Sequence, residues 1–364
     1  MIIYNSMLIL IFLLMAIYYI QQPSTKIRHS QPIPWAYAII SMGYIVFWAA
    51  LRSGFADTQA YIMDYSACPI GLDAALEAYD QGGKAPGWAF CQVLFKTFLT
   101  EDFHWWLATI AILSGIPIMI TFREKSTDYL FSMFLFVAST TFSWLFNGIR
   151  QFLVAAILFG FYFLLIQRKK ALFACVVLLC SLIHTSAIIM LPAIILVDCK
   201  PFGKSMILFV IGILSLSFLV GPLMETMDVM LKDSAYHGNL DQFAEDDGAN
   251  PLRVLLESLP MFLAFIKRKQ IAALNNDFIN LCINMSTVSA GLFFIAMLTS
   301  GIMMGRLPIY FSLYNFILLP FLIYFVYKSQ RKLLYIGFYG IYLTLYFLST
   351  PGYYYVSDIL GNYF

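Results

Sequence analysis

The chain has 364 residues, of which 61% are hydrophobic and only 12% are charged. Soluble domains carry about 25% charged residues, so this composition excludes a soluble globular protein and indicates one integral membrane domain over residues 1–364. The net charge is only +2, and the basic residues do not gather into a patch that could bind nucleic acid. The six cysteines lack the paired spacing of a zinc site. We therefore expect no nucleic acid, no metal and no other cofactor.

The first two apolar runs predict membrane-spanning helices on either side of a short basic segment. Ile2–Ile20 is long enough to span and lacks the basic start and cleavage site of a removable signal peptide. Lys26 and Arg28 follow it and favour an external N-terminus by the positive-inside rule. Trp35–Leu51 then returns to the outside.

A long polar stretch, residues 52–104, is predicted to form an external loop rich in acidic residues. Cys68 and Cys91 both lie in it, and they form either a disulfide, if the loop is extracytoplasmic, or two free thiols. Trp105–Phe122 then crosses inward, and Tyr129–Phe146 crosses outward.

The dipeptide Asn147-Gly148 is typical of a turn between two helices. It predicts that the chain reverses there. Arg150 and Gln151 then lie at the mouth of the next helix, which crosses inward over Phe152–Ile166.

The apolar run Ala171–Val197 decides the topology. A single helix over this run would be close to the greatest length of a membrane span. It would also place the basic cluster 267–269 outside, against the positive-inside rule. A reversal near His184 instead gives two short spans and returns every later basic cluster to the cytoplasm. We therefore predict a break at His184, about 12 transmembrane helices and both termini outside.

Five further apolar runs are predicted to span the membrane. They are Ser205–Gly221, Leu252–Ile266, Phe278–Leu298, Leu307–Tyr327 and Leu333–Leu348. Between the first two, residues 223–251 are rich in Asp and Glu and predict a second large external loop.

Four arginines are predicted at the external ends of helices: Arg52, Arg150, Arg253 and Arg306. This side of a membrane usually carries few basic residues. Guanidinium groups bind phosphate oxygens bidentately and stay charged at any working pH, so the four predict a phosphate or diphosphate site. The alternative is that each arginine anchors a helix end among lipid headgroups.

Two further side chains are candidate general bases. His184 lies in an otherwise uncharged apolar run, and the ordinary pKa of histidine lies near working pH. Asp57 follows Arg52 at a predicted helix mouth. The alternative for His184 is a structural role, in which it bonds a backbone carbonyl freed by the helix break. The alternative for Asp57 is that it orients a sugar hydroxyl or pairs with an arginine.

Several segments resemble motifs of the EpsG/Wzy-type polysaccharide polymerases, over about residues 50–325. The most specific pair is Phe146-Asn147-Gly148-Ile149-Arg150-Gln151 followed by His184-Thr185-Ser186. Further matches are Arg52-x-x-x-x-Asp57-x-x-x-Tyr61, Lys84-Ala85-Pro86-Gly87-Trp88, and Gly305-Arg306 ahead of Tyr310. The Lys84 segment departs from the family pattern, because Ala85 stands where an acidic residue often precedes Pro-Gly.

The resemblance implies an all-α, multi-pass, GT-C-like glycosyltransferase of the bacterial inner membrane. Its two larger loops and its active site would face the periplasm. Its substrate would be an oligosaccharide repeat unit carried on undecaprenyl diphosphate in the membrane lipid. The enzyme would join these units into O-antigen, capsule or exopolysaccharide, with a chain-length regulator protein as a candidate partner.

The resemblance and the charge pattern together predict which side chains form the site. The predicted diphosphate and sugar ligands are Arg52, Tyr61, Asn147, Arg150, Gln151, Arg253 and Arg306. His184 is the predicted catalytic base, and Asp57 is an acceptor-orienting group or the alternative base.

Three other functions stay open. A ligase would move finished glycan from the same carrier to lipid A. A flippase or transporter of the lipid-linked sugar would need charges near the centre of several helices, whereas here nearly all charge is at helix ends. A membrane O-acyltransferase would need a path for an acyl donor, and no motif for one is present.

Overall fold

The computed structural model describes residues 2–21, 32–83, 85–212, 215, 248–299, 301 and 304–363. Within these ranges the chain is almost entirely helical, as predicted, and its only strands, Val356–Ser357 (β1) and Asn362–Tyr363 (β2), pair antiparallel. Lys26 and Arg28, Lys84, and the acidic loop predicted over 223–251 up to residue 247 lie outside the described residues.

The chain divides into two compact units, residues 1–191 with 327–364, and residues 192–326. The α-helices of the first unit are Ile2–Gln21 (α1), Trp35–Ala50 (α2), Thr58–Ala67 (α3), Leu72–Gln81 (α4), Pro86–Phe98 (α5), Phe103–Lys125 (α6), Tyr129–Ala138 (α7), Ile149–Gly160 (α8), Tyr162–Ile166 (α9), Lys170–Ser181 (α10) and Arg331–Ser349. Its 3-10 helices are Thr141–Leu145, Thr185–Met190 and Lys328–Gln330.

The second unit, like the first, is helical where it is described. Its α-helices are Ala193–Leu196, Pro251–Ile266, Arg268–Ala272, Asp277–Leu298, Ile309–Ser312 and Asn315–Phe321, with a 3-10 turn at Met304–Arg306 and a π-helical turn at Leu322–Val326.

Five of the described helical stretches are long and apolar enough to cross a membrane. They are Ile2–Gln21, Phe103–Lys125, Ile149–Ile166, Asp277–Leu298 and Lys328–Ser349. A sixth arises if Met304–Ser312 and Asn315–Val326, which meet at a 49° bend, form one broken span. The described chain is thus an all-helical protein of the membrane type.

Glycines allow α6 to pack closely on its neighbours α2 and α8. A Cβ on Gly115 of α6 would lie 2.5 Å from the Val46 side chain, and one on Gly160 of α8 would lie 2.8 Å from Cβ of Pro117. Small residues give membrane helices this close approach, because lipid provides little hydrophobic drive for association. The α6 helix is therefore a central support of the first unit.

The polar stretch 52–104 folds into the three helices α3, α4 and α5 rather than into an irregular loop. Its large side chains pack with those of α6 and α8 in one cluster, formed by Tyr61, Tyr65, Trp88, Trp106, Leu107, Ile110, Ile149 and Leu153. These helices were not predicted from the charged sequence, and the external position of the stretch stays a prediction. Its aromatic residues at helical spacing, such as Tyr61 and Tyr65, bury one face of each helix.

Lys96 holds the end of α3. Its Nζ donates to the carbonyls of Tyr65, Ser66 and Cys68 at 3.2, 2.8 and 2.8 Å, and these lie at the helix C-terminus, where carbonyls lack intrahelical partners. Cys68 and Cys91 are both free thiols. Of the two alternatives for this pair, the structure has the unbonded one.

The run 171–197 is broken at the predicted residue. The α10 helix ends at Ser181, His184 has extended backbone angles, and the 3-10 helix Thr185–Met190 begins directly after it. The break at His184 is therefore confirmed.

Asp128 joins three helices of the first unit. Its Oδ1 accepts from the N–H of Phe131 and caps α7. Its Oδ2 accepts from the hydroxyls of Tyr19 and Tyr335, each at 3.0 Å. A single buried carboxylate thus links α1, α7 and the helix Arg331–Ser349.

Candidate active site

The segment Arg52–Asp57 joins α2 to α3 and buries its arginine, which is 1% exposed. Nη1 of Arg52 donates to the carbonyl of Ala49, and Nε donates to Oγ1 of Thr58 at 3.1 Å. Burial lowers the pKa of Arg52 to about 10, while the nearby Asp57 opposes the shift. The guanidinium therefore stays charged at neutral pH.

Asp57 connects this segment to the turn before α8. Its Oδ2 accepts the N–H of Gly148 at 3.0 Å, across 91 residues of chain. Gly148 has a φ of +66°, and a Cβ there would lie 2.8 Å from the Trp144 ring, so glycine is required both for the left-handed conformation and for the space. The two sequence motifs around Asp57 and Gly148 therefore meet in the fold.

Tyr61 links Asp57 to Arg150. Its phenol interacts electrostatically with the carboxylate and with the guanidinium. The Arg150 Cζ lies 5.9 Å from the centre of the Tyr61 ring and 5.8 Å from that of Trp88, within cation–π distance. Burial raises the pKa of Tyr61 to about 12, Asp57 adds to this shift and Arg150 opposes it, so the phenol stays protonated at neutral pH.

Several N–H groups in this region are buried and have no hydrogen-bond partner within the described chain. They are Nη2 of Arg52, Nε of Arg150, Nε1 of Trp88 and Trp106, and Nε2 of Gln92. A buried donor without an acceptor costs about 1–3 kcal/mol. A ligand rich in acceptor oxygens would remove that cost, and guanidinium groups suit phosphate oxygens in particular.

His184 lies at the break between α10 and the 3-10 helix, half-buried. Its Nδ1 is 2.7 Å from the hydroxyl oxygen of Ser186. Two residues earlier, the carbonyl of Leu182 accepts the N–H of Gly87 at 2.9 Å, and a Cβ on Gly87 would lie 2.9 Å from the Leu182 side chain. Glycine at position 87 thus attaches the start of α5, and with it Trp88, to the His184 turn.

The first unit brings together four of the predicted site residues: Arg52, Asp57, Tyr61 and Arg150. Asn147 lies half-buried in the turn beside them, and Gln151 is buried in the first turn of α8. The turn that carries His184 is linked to this group through Gly87, which is bonded to Leu182, and through Trp88, whose ring lies against Tyr61.

Arg253 and Arg306 belong to the second unit. Arg253 lies in the first turn of Pro251–Ile266, with its Cζ 5.9 Å from the centre of the Phe293 ring. Arg306 is exposed at the end of the short 3-10 turn. These two arginines stay predictions for phosphate binding.

Two buried polar residues were not singled out from the sequence, Thr58 in this site and Glu257 in the second unit. Thr58 accepts the Arg52 Nε bond and donates to the Phe55 carbonyl at 2.7 Å; its place directly after Asp57 was the available signal. In the second unit, Glu257 is 2% exposed, and Nδ2 of Asn315 donates to its Oε2 at 3.2 Å. A lone carboxylate inside the apolar run Leu252–Ile266 was the signal there.

No group of three or more His, Cys, Asp or Glu side chains in the described part of the chain could hold a metal ion.

Comparisons with known proteins agree with the motifs. Neither the curated proteins nor the solved structures include a match to this chain. The model of the EpsG family matches residues 35–360, which contain every residue of the cluster described above. The chain therefore belongs to the EpsG family, the family of Wzy-type polysaccharide polymerases.

Proposed function

We propose that this protein polymerises oligosaccharide repeat units carried on undecaprenyl diphosphate, as a GT-C-like glycosyltransferase of the bacterial inner membrane. The product is O-antigen, capsule or exopolysaccharide. The shorter apolar helices, Trp35–Ala50, Tyr129–Ala138, Lys170–Ser181 and Thr185–Leu196, enter the membrane with the longer ones. With the predicted spans Ser205–Gly221 and Leu252–Ile266, this gives about 12 spans. The Arg52 and Arg150 ends of their helices face the periplasm.

One observation carries the proposal: a buried, donor-rich cluster with two arginines at the ends of membrane helices, in a chain of this family. Asp57 holds the cluster together through its hydrogen bond to Gly148, and Tyr61 lies against Arg150 within cation–π distance. In a purely structural cluster, nearly every buried donor would have an acceptor within the protein. Here Nη2 of Arg52 and Nε of Arg150 are buried and have no acceptor in the described chain. That surplus supports an anionic, oxygen-rich ligand.

In the proposed reaction, a hydroxyl at the non-reducing end of a new unit attacks the anomeric carbon of the growing chain. A C–O bond forms, the C–O bond to the diphosphate breaks, and undecaprenyl diphosphate leaves. Negative charge grows on the leaving oxygen, and arginines that are already in place stabilise it without reorganisation. Arg52 and Arg150 have this role.

His184 accepts the proton of the attacking hydroxyl. When its Nδ1 donates to the Ser186 oxygen, at 2.7 Å, the lone pair is on Nε2, which is the form that a general base needs. Asp57 accepts a hydrogen bond from the Gly148 amide. This position supports its role as an orienting group rather than as the base.

The test is the length profile of surface polysaccharide from cells that lack this protein and carry a plasmid-borne variant. Arg150→Lys keeps the charge but loses the planar fork that binds two oxygens. We expect a single repeat unit in place of the ladder, at a normal membrane level of the protein.

Arg268→Lys is the matched control, because Arg268 also stacks on an aromatic ring, with Cζ 4.5 Å from the centre of the Phe265 ring, but is exposed and outside the cluster. We expect a normal ladder from it. Long chains from Arg150→Lys would remove Arg150 from the site. Unattached polymer in cells that lack the protein would indicate a ligase instead.

A further inference from the structure

Residues 353–358, here called the strap, lie across the segment that carries Arg52. The N–H groups of Ser53 and Gly54 donate to the Val356 carbonyl at 2.8 and 3.1 Å, and the N–H of Val356 donates to the Gly54 carbonyl at 3.0 Å. Gly54 and Val356 thus form an isolated antiparallel bridge. The N–H of Asp358 adds a bond of 3.0 Å to Oγ of Ser53. The strap therefore holds the backbone directly after Arg52.

The strap also holds the backbone before Arg52. The hydroxyl of Tyr355, a fully buried residue, donates to the Trp48 carbonyl at 2.9 Å. The Tyr355 ring centre lies 5.6 Å from that of Trp48. Nη1 of Arg52 donates to the carbonyl of Ala49, the residue after Trp48. A shift of the backbone at Trp48 and Ala49 would therefore move the guanidinium.

Two side chains attach the strap to the helices around it. His104, in the first turn of α6, places Nε2 2.9 Å from Oδ1 of Asp358 and Nδ1 2.7 Å from Oδ1 of Asp102. Tyr4 of α1 donates to the Tyr354 carbonyl at 3.0 Å. The strap is therefore fixed at both ends to helices that are independent of the Arg52 segment.

We propose that the strap is a positioning element of the active site, which holds Arg52 where its guanidinium meets the diphosphate of the substrate. Its residues act through Arg52 and do not touch the reacting atoms. This role rests on the function proposed above for Arg52. It goes beyond the sequence motifs, because none of them includes the strap.

Gly54 gives a selective way to displace the strap. A Cβ at this position would lie 2.9 Å from Cβ of Val356 and 3.0 Å from its Cγ2, so Gly54→Ala cannot keep the bridge unchanged. Val356→Gly in the same chain removes both atoms and makes room. Gly352→Ala is the matched control, since no heavy atom lies within 4 Å of its added Cβ.

The first measurement is amide hydrogen exchange on the full-length purified protein, which does not depend on any activity. We expect the amides of Ser53 and Gly54 to be protected in the wild type and in Gly352→Ala. They should lose protection in Gly54→Ala and regain it in the double variant with Val356→Gly. Wild-type protection in Gly54→Ala would overturn the proposal.

The second measurement is the rate of polymer formation from lipid-linked repeat units. We expect Gly54→Ala to lower kcat by about 10–100-fold, with a smaller change in KM, because a misplacement of roughly 1 Å costs this much when the group acts on the transition state. Adding Val356→Gly should restore kcat to within a few-fold. An inactive double variant with regained protection would overturn the positioning role, as would full activity of Gly54→Ala.

If Gly54→Ala does not reach the membrane, His104→Ala replaces it with the same two readouts, because its contact with Asp358 is at the exposed end of the strap. A wild-type protein that makes no polymer would overturn the proposed function. The exchange result would then still decide whether the strap holds the Arg52 segment.

Discussion

At the level of single residues, the Tyr61 side chain connects the two kinds of charge in the candidate site. Its phenol interacts electrostatically with the Asp57 carboxylate and the Arg150 guanidinium, and Asp57 accepts a hydrogen bond from the Gly148 amide. Arg150 lies two residues after Gly148, and its Cζ is 5.9 Å from the centre of the Tyr61 ring. Tyr61 therefore contributes to the position of the Arg150 side chain.

Tyr61→Phe removes the hydroxyl and keeps the ring beside Trp88. The hydroxyl interacts with two charged groups, and such interactions contribute about 1.5–3 kcal/mol, so we expect the rate of polymer formation to fall by about 10–100-fold. The measurement is kcat with lipid-linked units. Tyr79→Phe is the control, because Tyr79 belongs to the same polar stretch but is 41% exposed and outside the cluster. Equal rates for the two variants would remove the Tyr61 hydroxyl from the site.

The sequence could predict which residues are unusual but not which of them meet. The positive-inside rule placed Arg52 and Arg150 at helix ends, and the family motifs named Asp57 and Tyr61. The bond between Asp57 and Gly148 could not be predicted, because it depends on how α3 and the turn before α8 pack against each other. Thr58 was missed for the same reason, since its role is defined by its contact with Arg52.

At the level of elements, a substitution of Asp128 tests how much its contacts stabilise the helices of the first unit. Asp128→Ala removes the cap of α7, worth about 1 kcal/mol. It also leaves the hydroxyls of Tyr19 and Tyr335 without their shared acceptor, and we expect the larger loss at Tyr335, because Tyr19 is 38% exposed. We expect a lower thermal unfolding midpoint of the purified protein in detergent.

The matched control for Asp128 is Asp73→Ala. Asp73 also lies in the first turn of a helix, Leu72–Gln81, but it is exposed. Its removal should leave the midpoint nearly unchanged. A similar midpoint for both variants would show that the Asp128 contacts contribute little to stability.

Elements with a strong local signal were the ones that could be predicted. The Asn147-Gly148 turn and the break at His184 were both confirmed, because a turn dipeptide and an isolated polar residue in an apolar run act locally. The three helices within 52–104 were not predicted. These helices are stabilised by packing on α6 and α8. Such tertiary contacts cannot be read from the sequence, and the helical periodicity of a charged stretch is only a weak signal.

At the level of the whole molecule, the predicted orientation places α5 outside and the basic segment 267–269 in the cytoplasm. Cys91 of α5 is an exposed thiol. We expect a membrane-impermeant maleimide to label Cys91 on intact spheroplasts. Lys269→Cys, exposed on the helix Arg268–Ala272, should be labelled only after the membrane is permeabilised. The reverse pattern would invert the topology.

The strap has a consequence for the order in which the enzyme is made. Arg52 is synthesised early, at the end of the second helix, whereas the strap leaves the ribosome long after it, since chains grow at about 5–20 residues per second. A nascent chain can insert most of its helices while the arginine still lacks its support. We therefore expect catalytic competence to arise only late in biogenesis, so that unfinished chains in the membrane leave the pool of lipid-linked sugar untouched.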